Sequence, residues 1–299
     1  MWTKENIPDQ SGKTVIVTGA NAGIGYETAL ALYEKGANVI LACRDLQKAN
    51  VAAEAIQKIA SNGTVEVLHL DLSDLNSVKE AADTFKSNHT QLDLLIDNAG
   101  VMVPPASKTA QGFELQFGTN VLGHYAFTGH LYPLLKATPQ SRIVTVSSLV
   151  YRLGSIDYSN LKLEKDYDPN REYAQSKLAN LFFTNELQRR IDNAGDSILS
   201  VASHPGVTQT DLARNISGEE FDSIVEIYGP LMPAWQGALP SLFAAISTDI
   251  NGNDFIGPDQ DGGLRGYPAK AELLPIALDE AEAKKLWNFA EEATGVVYP

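Results

Sequence analysis

The chain has 299 residues, 44% hydrophobic and 20% charged, a composition typical of a soluble globular protein. Its formal net charge of −14 argues against a nucleic-acid partner, which requires a basic face, and its single cysteine rules out an intramolecular disulfide or a cysteine zinc cluster. The N-terminus lacks an apolar signal core and no run is long enough to span a membrane, so we expect a cytoplasmic protein.

Six short apolar runs, each followed by a helical pattern, recur along the chain. They cover residues 13–18, 38–43, 65–70, 92–97, 142–147 and 198–203. The plainest helical pattern is 46–60, and 278–293 is expected to form a closing helix with Trp287 on its apolar face. Strands that are apolar on both faces and alternate with helices predict an α/β fold of Rossmann type. We therefore expect a doubly wound, mostly parallel sheet with helices on both faces, in a single domain over residues 1–299.

A glycine-rich turn, TGANAGIG at residues 18–25, joins the first strand to the first helix. Gly19 allows the tight turn, Gly23 lets the backbone approach a diphosphate, and Gly25 lets the helix pack close to the strand. The unpaired N–H groups at the start of the helix also favour an anion. The turn therefore predicts a dinucleotide site that includes Asn21 and Ile24, although a purely structural turn is the alternative.

The spacing G-x-x-x-G-x-G, together with later motifs, resembles the short-chain dehydrogenase/reductase family over roughly residues 13–257. The motifs that carry the resemblance occur in the family's order: the glycine turn, Asp71, Asn98-Ala99-Gly100, Asn120, Ser148, Tyr173 with Lys177, and Pro205-Gly206. The long gap between Ser148 and Tyr173, with SKLANLFFTNEL around Lys177, most resembles the retinol-dehydrogenase-like and protochlorophyllide-reductase-like branch.

The resemblance implies how a nicotinamide dinucleotide would bind. Asp71, next to Leu72, would receive the adenine amino group, and Asn98, Ala99 and Gly100 would line the ribose side. The residues expected to meet the nicotinamide amide and phosphate are Pro205, Gly206 and Thr208. No metal is expected, because the five histidines form no ligand constellation.

Residues at the end of the second strand predict NADP(H) rather than NAD(H). An acidic residue there would bind the ribose 2′-hydroxyl of NAD and repel the 2′-phosphate of NADP. The chain instead has Cys43, a buried strand residue by its pattern, followed by Arg44, whose guanidinium suits a phosphate. Asp45 is expected to cap the next helix. A solvated surface role is the alternative for Arg44, and Ala22 leaves the turn without a further basic residue, so the expected preference is moderate.

Tyr173 and Lys177 are four residues apart in a predicted helix, so their side chains share one face. A neighbouring cation stabilises phenolate and lowers the phenol pKa from about 10, which makes the phenol an acid or base for a carbonyl–alcohol pair. The resemblance implies that Ser148 hydrogen-bonds the same substrate oxygen and that Asn120 helps to hold a water linking the lysine to solvent. A structural amide is the alternative for Asn120.

Two segments are expected to lie near the substrate. Residues 153–170 resemble an insertion at the mouth of the site, with a remote surface loop as the alternative. Residues 207–240 form the predicted substrate region, within which 212–240 is either a long irregular lid or a pair of surface helices broken by prolines.

These patterns predict an NADP(H)-dependent oxidoreductase that transfers hydride between the nicotinamide and a small, fairly apolar carbonyl or alcohol. The expected catalytic residues are Asn120, Ser148, Tyr173 and Lys177, in a monomer or homodimer. One alternative is a reductase of an activated C=C bond. Another is a non-catalytic NADP-binding sensor or scaffold, which usually lacks the tyrosine or the lysine.

Overall fold

A computed structural model of the protein describes residues 1–210, 212 and 218–299. Within these residues, eight strands form one sheet in the order β3-β2-β1-β4-β5-β6-β7-β8. The strands are β1 (Thr14–Thr18), β2 (Asn38–Cys43), β3 (Val65–His69), β4 (Leu94–Asp97), β5 (Arg142–Val146), β6 (Leu199–Ser203), β7 (Phe255–Gln260) and β8 (Arg265–Lys270). All neighbours are parallel except β7 and β8, which are antiparallel. The strand order reverses between β1 and β4, where ligands of such sheets bind at the carboxyl ends of the strands.

Helices cover both faces of the sheet. They are α1 (Gly23–Glu34), α2 (Leu46–Gln57), α3 (Leu75–Asn88), α4 (Leu115–Phe117), α5 (His124–Ala137), α6 (Pro169–Ala194), α7 (Gly218–Tyr228), α8 (Ala234–Ile246) and α9 (Glu280–Thr294), with the π-helical segment Gly118–Gly123 joining α4 to α5. Buried side chains of α3, α5, α6 and α9 form the core on one face, and those of α1, α2 and α8 form the core on the other. The predicted Rossmann-type fold is therefore confirmed.

Local sequence signals fix both ends of α6, the helix that carries Tyr173. The Asp168 carboxylate accepts hydrogen bonds from the backbone N–H groups of Asn170 and Arg171. Pro169 is the first helical residue, where the absence of an N–H group costs nothing. The helix ends at Gly195, whose φ of 68° lies in the left-handed region that glycine tolerates. The helix therefore begins at a fixed distance before the tyrosine.

Strands β7 and β8 are absent from the sequence prediction. Both contain proline and glycine, and Pro258 lies opposite Pro268 in their antiparallel pair. Proline cannot donate to a strand ladder and is therefore found at sheet edges; β8 is the edge strand, and Pro258 lies beyond the residues of β7 that pair with β6. The composition of the two segments is typical of turns, and only their position at the edge of the finished sheet makes them strands.

Of the two alternatives left open for residues 212–240, the described residues form the pair of helices, α7 and α8. Pro233 caps α8, and Pro240 lies inside it. Helix α8 is largely buried rather than a surface helix. Its residues Ala238 and Leu239 belong to the hydrophobic core that α1 and α2 also form. Residues 211 and 213–217 lie outside the described residues.

The closing helix is confirmed as α9. Asp279 caps it by accepting the N–H groups of Ala281 and Glu282, and the Trp287 ring is buried. In the described ranges, no helix is both long enough and apolar enough to cross a membrane.

Candidate active site

The glycine turn between β1 and α1 forms an open cradle. Gly19 and Gly23 have φ angles of 66° and 57°, in the left-handed region that residues with side chains rarely adopt. A Cβ atom on Gly25 would lie 2.5 Å from the Asn98 side-chain nitrogen and 2.6 Å from the Gly19 carbonyl oxygen. Only glycine permits this approach, and the cradle lies at the reversal of strand order, so these residues fit a dinucleotide diphosphate.

Thr18 joins this turn to the Asn98-Ala99-Gly100 loop after β4. Its hydroxyl accepts the backbone N–H groups of Asn98 and Ala99, both at 2.9 Å. The Asn98 amide donates to the Thr18 carbonyl at 2.8 Å, so this side chain braces the turn from the protein side. The structure therefore brings two segments predicted for the cofactor into direct contact.

Cys43 ends β2 beneath the glycine turn and is 1% exposed. Burial raises the pKa of its thiol to about 11, although hydrogen bonds from the backbone N–H groups of Ala20 and Asn21 lower it. The thiol is therefore neutral at physiological pH and unsuited to nucleophilic chemistry. Its predicted structural role is consistent with this setting.

Arg44 follows Cys43 at the open end of the site and is exposed. It makes no ion pair with any residue in the described part of the chain. Asp45 does not neutralise it, because that carboxylate accepts the Lys48 backbone N–H at 3.1 Å and caps α2 as predicted. The Arg44 guanidinium at the end of β2 is therefore available to bind an anion.

Asp71 and Leu72 follow β3 on the same side of the sheet. The Asp71 carboxylate accepts the backbone N–H of Ser73 at 2.9 Å and its hydroxyl at 2.6 Å. Leu72 is buried, and its carbonyl oxygen would lie 2.4 Å from a Cβ atom on Gly123. Asp71 thus shapes its own turn, while its second carboxylate oxygen has no hydrogen bond among the described residues.

Tyr173, Lys177 and Ser148 come together beyond the end of β5. The tyrosine and lysine are buried, with 8% and 4% exposure, and the Lys177 Nζ atom lies 5.7 Å from the centroid of the Tyr173 ring. Nζ donates to the Val146 carbonyl at 2.9 Å. Half-buried Ser148 hydrogen-bonds the Tyr173 side chain, whereas the Ser147 hydroxyl points away and donates to the Lys177 carbonyl at 2.8 Å.

Burial dominates the electrostatics of this group. It raises the pKa of the Tyr173 phenol well above its ordinary value, and the hydrogen bond with Ser148 lowers it only in part. Burial also lowers the pKa of Lys177 to about 8. Burial therefore gives the phenol a net upward pKa shift from the protein's own groups, opposite to the net lowering expected from the sequence. The phenol keeps its proton at neutral pH and is ready to act as an acid.

Asn120 is fully buried beside these residues. Its side-chain oxygen accepts the Val101 N–H at 2.8 Å, and its nitrogen donates to the Val101 carbonyl and the Ser176 hydroxyl, both at 3.0 Å. A Cβ atom on Gly100 would lie 3.2 Å from the same oxygen and 3.9 Å from Lys177 Nζ. The amide therefore braces the loop against α6, as the structural alternative expected.

His124 was not among the predicted site residues. Its Nδ1 atom lies 3.1 Å from the Asn120 carbonyl, which can only accept, so Nδ1 carries the proton. Its Nε2 atom then accepts from the Thr18 hydroxyl at 3.0 Å. Burial lowers the pKa of His124 to about 4, which keeps the ring neutral. The sequence signal that could have identified His124 is a polar residue within an apolar helix, because a buried polar residue needs a hydrogen-bond partner.

The turn after β6 places Pro205, Gly206 and Thr208 at the same edge of the sheet. The Thr208 hydroxyl donates to the Pro205 carbonyl at 2.9 Å. Gly206 has a φ of 68°, and a Cβ atom there would lie 2.5 Å from the Leu264 carbonyl oxygen. Its N–H donates to Nδ1 of buried His204 at 3.3 Å. His204 is a second supporting residue that sequence reasoning missed.

Comparison with known proteins defines the family. A family model described as short chain dehydrogenase matches residues 13–220. The chain belongs to the short-chain dehydrogenase/reductase family. It is 41% identical to human retinol dehydrogenase 13, over 99% of this chain and 88% of that protein, and 41% identical to human retinol dehydrogenase 11, over 95% and 86%. An uncharacterized protein from Mycobacterium paratuberculosis has a similar structure, with a TM-score of 0.84 and 39% identity, covering 100% of this chain and 99% of that one.

The expected resemblance to the retinol-dehydrogenase-like branch is thus confirmed. As a short-chain dehydrogenase/reductase, the protein is an oxidoreductase of a family that uses a nicotinamide cofactor. Among the residues that the structure describes, no cluster of three or more histidine, cysteine, aspartate or glutamate side chains could hold a metal ion.

Asp97, at the end of β4, carries a buried carboxyl in this short-chain dehydrogenase/reductase. The Thr128 hydroxyl donates to one of its oxygens at 3.1 Å, and the other has no partner among the described residues. Burial raises the pKa of Asp97 to about 8. An unfolded aspartate ionises near pH 4, so the folded protein keeps a proton that the unfolded chain loses between these values. Stability due to this group is therefore present below about pH 4 and is lost as the pH rises towards about 8.

Replacing Asp97 with asparagine should remove this pH dependence. We expect D97N to gain stability over the wild type as the pH rises, by on the order of 3 kcal/mol near pH 8 and much less near pH 5. Guanidinium unfolding of both proteins at the two pH values measures the difference. A gain that does not change with pH would show that the folded carboxyl titrates like an exposed one.

Proposed function

We propose that the protein is an NADP(H)-dependent oxidoreductase that transfers hydride between the nicotinamide and a carbonyl or alcohol. The observation that carries the proposal is the buried phenol of Tyr173, hydrogen-bonded to Ser148 and next to Lys177. This group lies at the edge of the sheet that also carries the glycine cradle. A buried phenol with a raised pKa, a hydroxyl and an ammonium form a set suited to acid–base chemistry at a carbonyl oxygen.

Tyr173 acts as the general acid in the direction of reduction. When bound, the cofactor supplies the hydride for the carbonyl carbon. The phenol holds its proton at neutral pH because burial raises its pKa, and it gives this proton to the substrate oxygen as negative charge develops there. Ser148 hydrogen-bonds the same oxygen and stabilises that charge. We assign this role to Ser148 rather than Ser147, whose hydroxyl is engaged by the Lys177 backbone.

Lys177 and Asn120 support the acid. The Lys177 ammonium uses one donor on the Val146 carbonyl, which leaves donors for the nicotinamide ribose, and its charge stabilises phenolate once the proton has left. Asn120 holds the loop at Gly100 and Val101 against α6 through its amide. Its contribution to catalysis is thus to hold this loop and Lys177 in fixed positions relative to each other.

The residues of the cradle support binding of NADP(H). The glycine turn, with Asn21 and Ile24, would take the diphosphate, and the Arg44 guanidinium, which has no ion pair among the described residues, would take the 2′-phosphate. The remaining assignments to the cofactor are Asp71 and Leu72 at the adenine, Asn98, Ala99 and Gly100 at the ribose, and Pro205, Gly206 and Thr208 at the nicotinamide.

We infer a fairly apolar substrate from two observations. The relatives named retinol dehydrogenase carry in their names an apolar alcohol. In this chain, Met232 hydrogen-bonds the backbone of Val207 and Gln209, so the chain between α7 and α8 is attached to the turn after β6. Ile227 and Trp235, which precede and follow Met232 in the sequence, are 71% and 47% exposed. Apolar surface next to the nicotinamide-side turn favours an apolar ligand.

A substrate screen that follows NADPH absorbance tests this function. The panel contains apolar aldehydes and ketones of increasing size and, as a second class, ring-conjugated alkenes. We expect turnover of carbonyls, with the alcohol identified as product. Turnover confined to alkenes would instead support reduction of an activated C=C bond, and NADPH binding without any turnover would support a sensor or scaffold.

A further inference from the structure

The loop after Gly100 contains a strained residue. Val103 has a φ of 46° and is half-buried. A β-branched side chain in the left-handed region is a genuine outlier, because its branches crowd the backbone. Such a residue persists only where surrounding contacts fix it, and such residues cluster at functional sites. The contacts that fix Val103 therefore indicate what this loop is built to do.

Two amides, one helical turn apart, hold the backbone of this loop. Asn120 binds both the N–H and the carbonyl of Val101. Gln116 is fully buried, and its side-chain oxygen accepts the Val103 N–H at 3.0 Å. The N–H of the strained residue Val103 is therefore bound by the Gln116 side chain, which is itself buried.

The 153–170 insertion supplies a third contact. The Tyr167 hydroxyl donates to the Pro104 carbonyl at 2.6 Å and lies 3.4 Å from the Gln116 side-chain nitrogen. Burial raises the pKa of Tyr167 to about 12, so this hydroxyl keeps its proton. The same Gln116 nitrogen donates to the carbonyl of Pro169, the first residue of α6. The insertion thus joins the strained loop to the helix that carries Tyr173.

The loop begins next to the catalytic lysine, Lys177. A Cβ atom on Gly100 would lie 3.9 Å from Lys177 Nζ, so residues 101–104 lead directly away from the catalytic lysine. Ser148 and Tyr173 lie on other elements, so we expect a shift of residues 101–104 to change the space beside Gly100 more than the positions of those two side chains.

We propose that Gln116 and Tyr167 are positioning residues that hold the strained Val103 turn, and that through this turn the insertion sets which substrates fit beside Gly100. The inference rests on the proposed function, because it assigns residues 101–104 to the substrate side of that site. It also gives the insertion a role without requiring that it touch the substrate.

Replacing Tyr167 with phenylalanine tests the proposal, because Y167F removes one hydroxyl and keeps the ring. We expect KM for carbonyl substrates to rise about three- to tenfold, the effect of one lost hydrogen bond, with kcat and the Kd for NADPH within about twofold of the wild type. Hydrogen exchange of the 101–104 peptide should become faster. Ser159→Ala is the matched control, since it removes hydrogen bonds to Asp157 and Lys165 within the same insertion.

A second substitution tests the role of strain. Glycine adopts the left-handed conformation without strain. In Val103→Gly the turn therefore no longer depends on the contacts from Gln116 and Tyr167. The Y167F change should therefore alter KM less than about twofold in the V103G background, a clear departure from additivity. Equal effects in both backgrounds, or an unchanged KM and exchange rate in Y167F, would overturn the proposal. If the wild-type protein reduces no carbonyl, the proposed function fails, and exchange of the 101–104 peptide in Y167F decides whether Tyr167 holds the turn.

Discussion

Replacing Tyr173 with phenylalanine should abolish carbonyl reduction while leaving NADPH binding almost unchanged. Y173F removes the only group proposed to protonate the substrate oxygen and keeps the buried ring. General acid catalysis contributes about 10²- to 10⁴-fold, and loss of the hydrogen bond with Ser148 adds to this, so we expect kcat to fall by at least about a thousandfold. Single-turnover kinetics and fluorescence titration with NADPH measure the two quantities separately.

Tyr151 provides the matched control. It is fully buried in the short 3₁₀ helix Leu149–Leu153 after Ser148, and its hydroxyl accepts the Leu274 N–H at 3.0 Å. Y151F makes the same chemical change close by and should keep most of the turnover. Turnover by Y173F near the wild-type level would rule out the tyrosine as the acid, and a parallel loss of NADPH binding would indicate collapse of the site.

Replacing Arg44 with aspartate should reverse the preference for NADPH over NADH. The substitution removes the guanidinium proposed to bind the 2′-phosphate and supplies a carboxylate that suits the 2′-hydroxyl of NAD. Loss of a charge-assisted hydrogen bond and gain of a repulsive charge together predict a change of about 10²- to 10³-fold in the ratio of kcat/KM for NADPH to that for NADH. The two cofactors are compared at saturating substrate.

Lys58→Asp controls for net charge, because it makes an equal change at an exposed residue just beyond the far end of α2. It should leave the cofactor ratio within about twofold, since exposed charges beyond a Debye length are largely screened. If R44D and K58D leave the ratio equally unchanged, Arg44 is a surface residue, and the proposed cofactor preference loses its basis.

The features that sequence predicts well in this protein depend on local signals. The six parallel strands appear within about two residues of their predicted bounds, because each is a continuous apolar run flanked by turns. The predicted cap at Asp45 follows from the fit of short carboxylates to free N–H groups at helix starts. The glycine turn is visible because its residues are close together in the chain.

The features that sequence could not predict depend on contacts between distant residues. Strand β8 pairs with β7 alone among the described strands, and Gln116 contacts Val103 and Pro169 only in the folded chain. The direction of the Tyr173 pKa shift is the plainest case. The four-residue spacing to the lysine suggests a lowered pKa, whereas burial by the surrounding core reverses the sign.

The turn after β6 limits how far the chain can be shortened from its C-terminal end. The family match ends at residue 220, after all four proposed catalytic residues. Yet the Val207 N–H donates to the Leu264 carbonyl at 2.8 Å, and Met232 bonds the same short segment from the other side. A chain ending at residue 220 would retain its acid, its lysine and its glycine cradle and still lack the supports of the nicotinamide-side turn. We therefore expect the smallest active unit to extend well beyond the recognisable motifs, because the contacts from Met232 and Leu264 that hold this turn lie after residue 220.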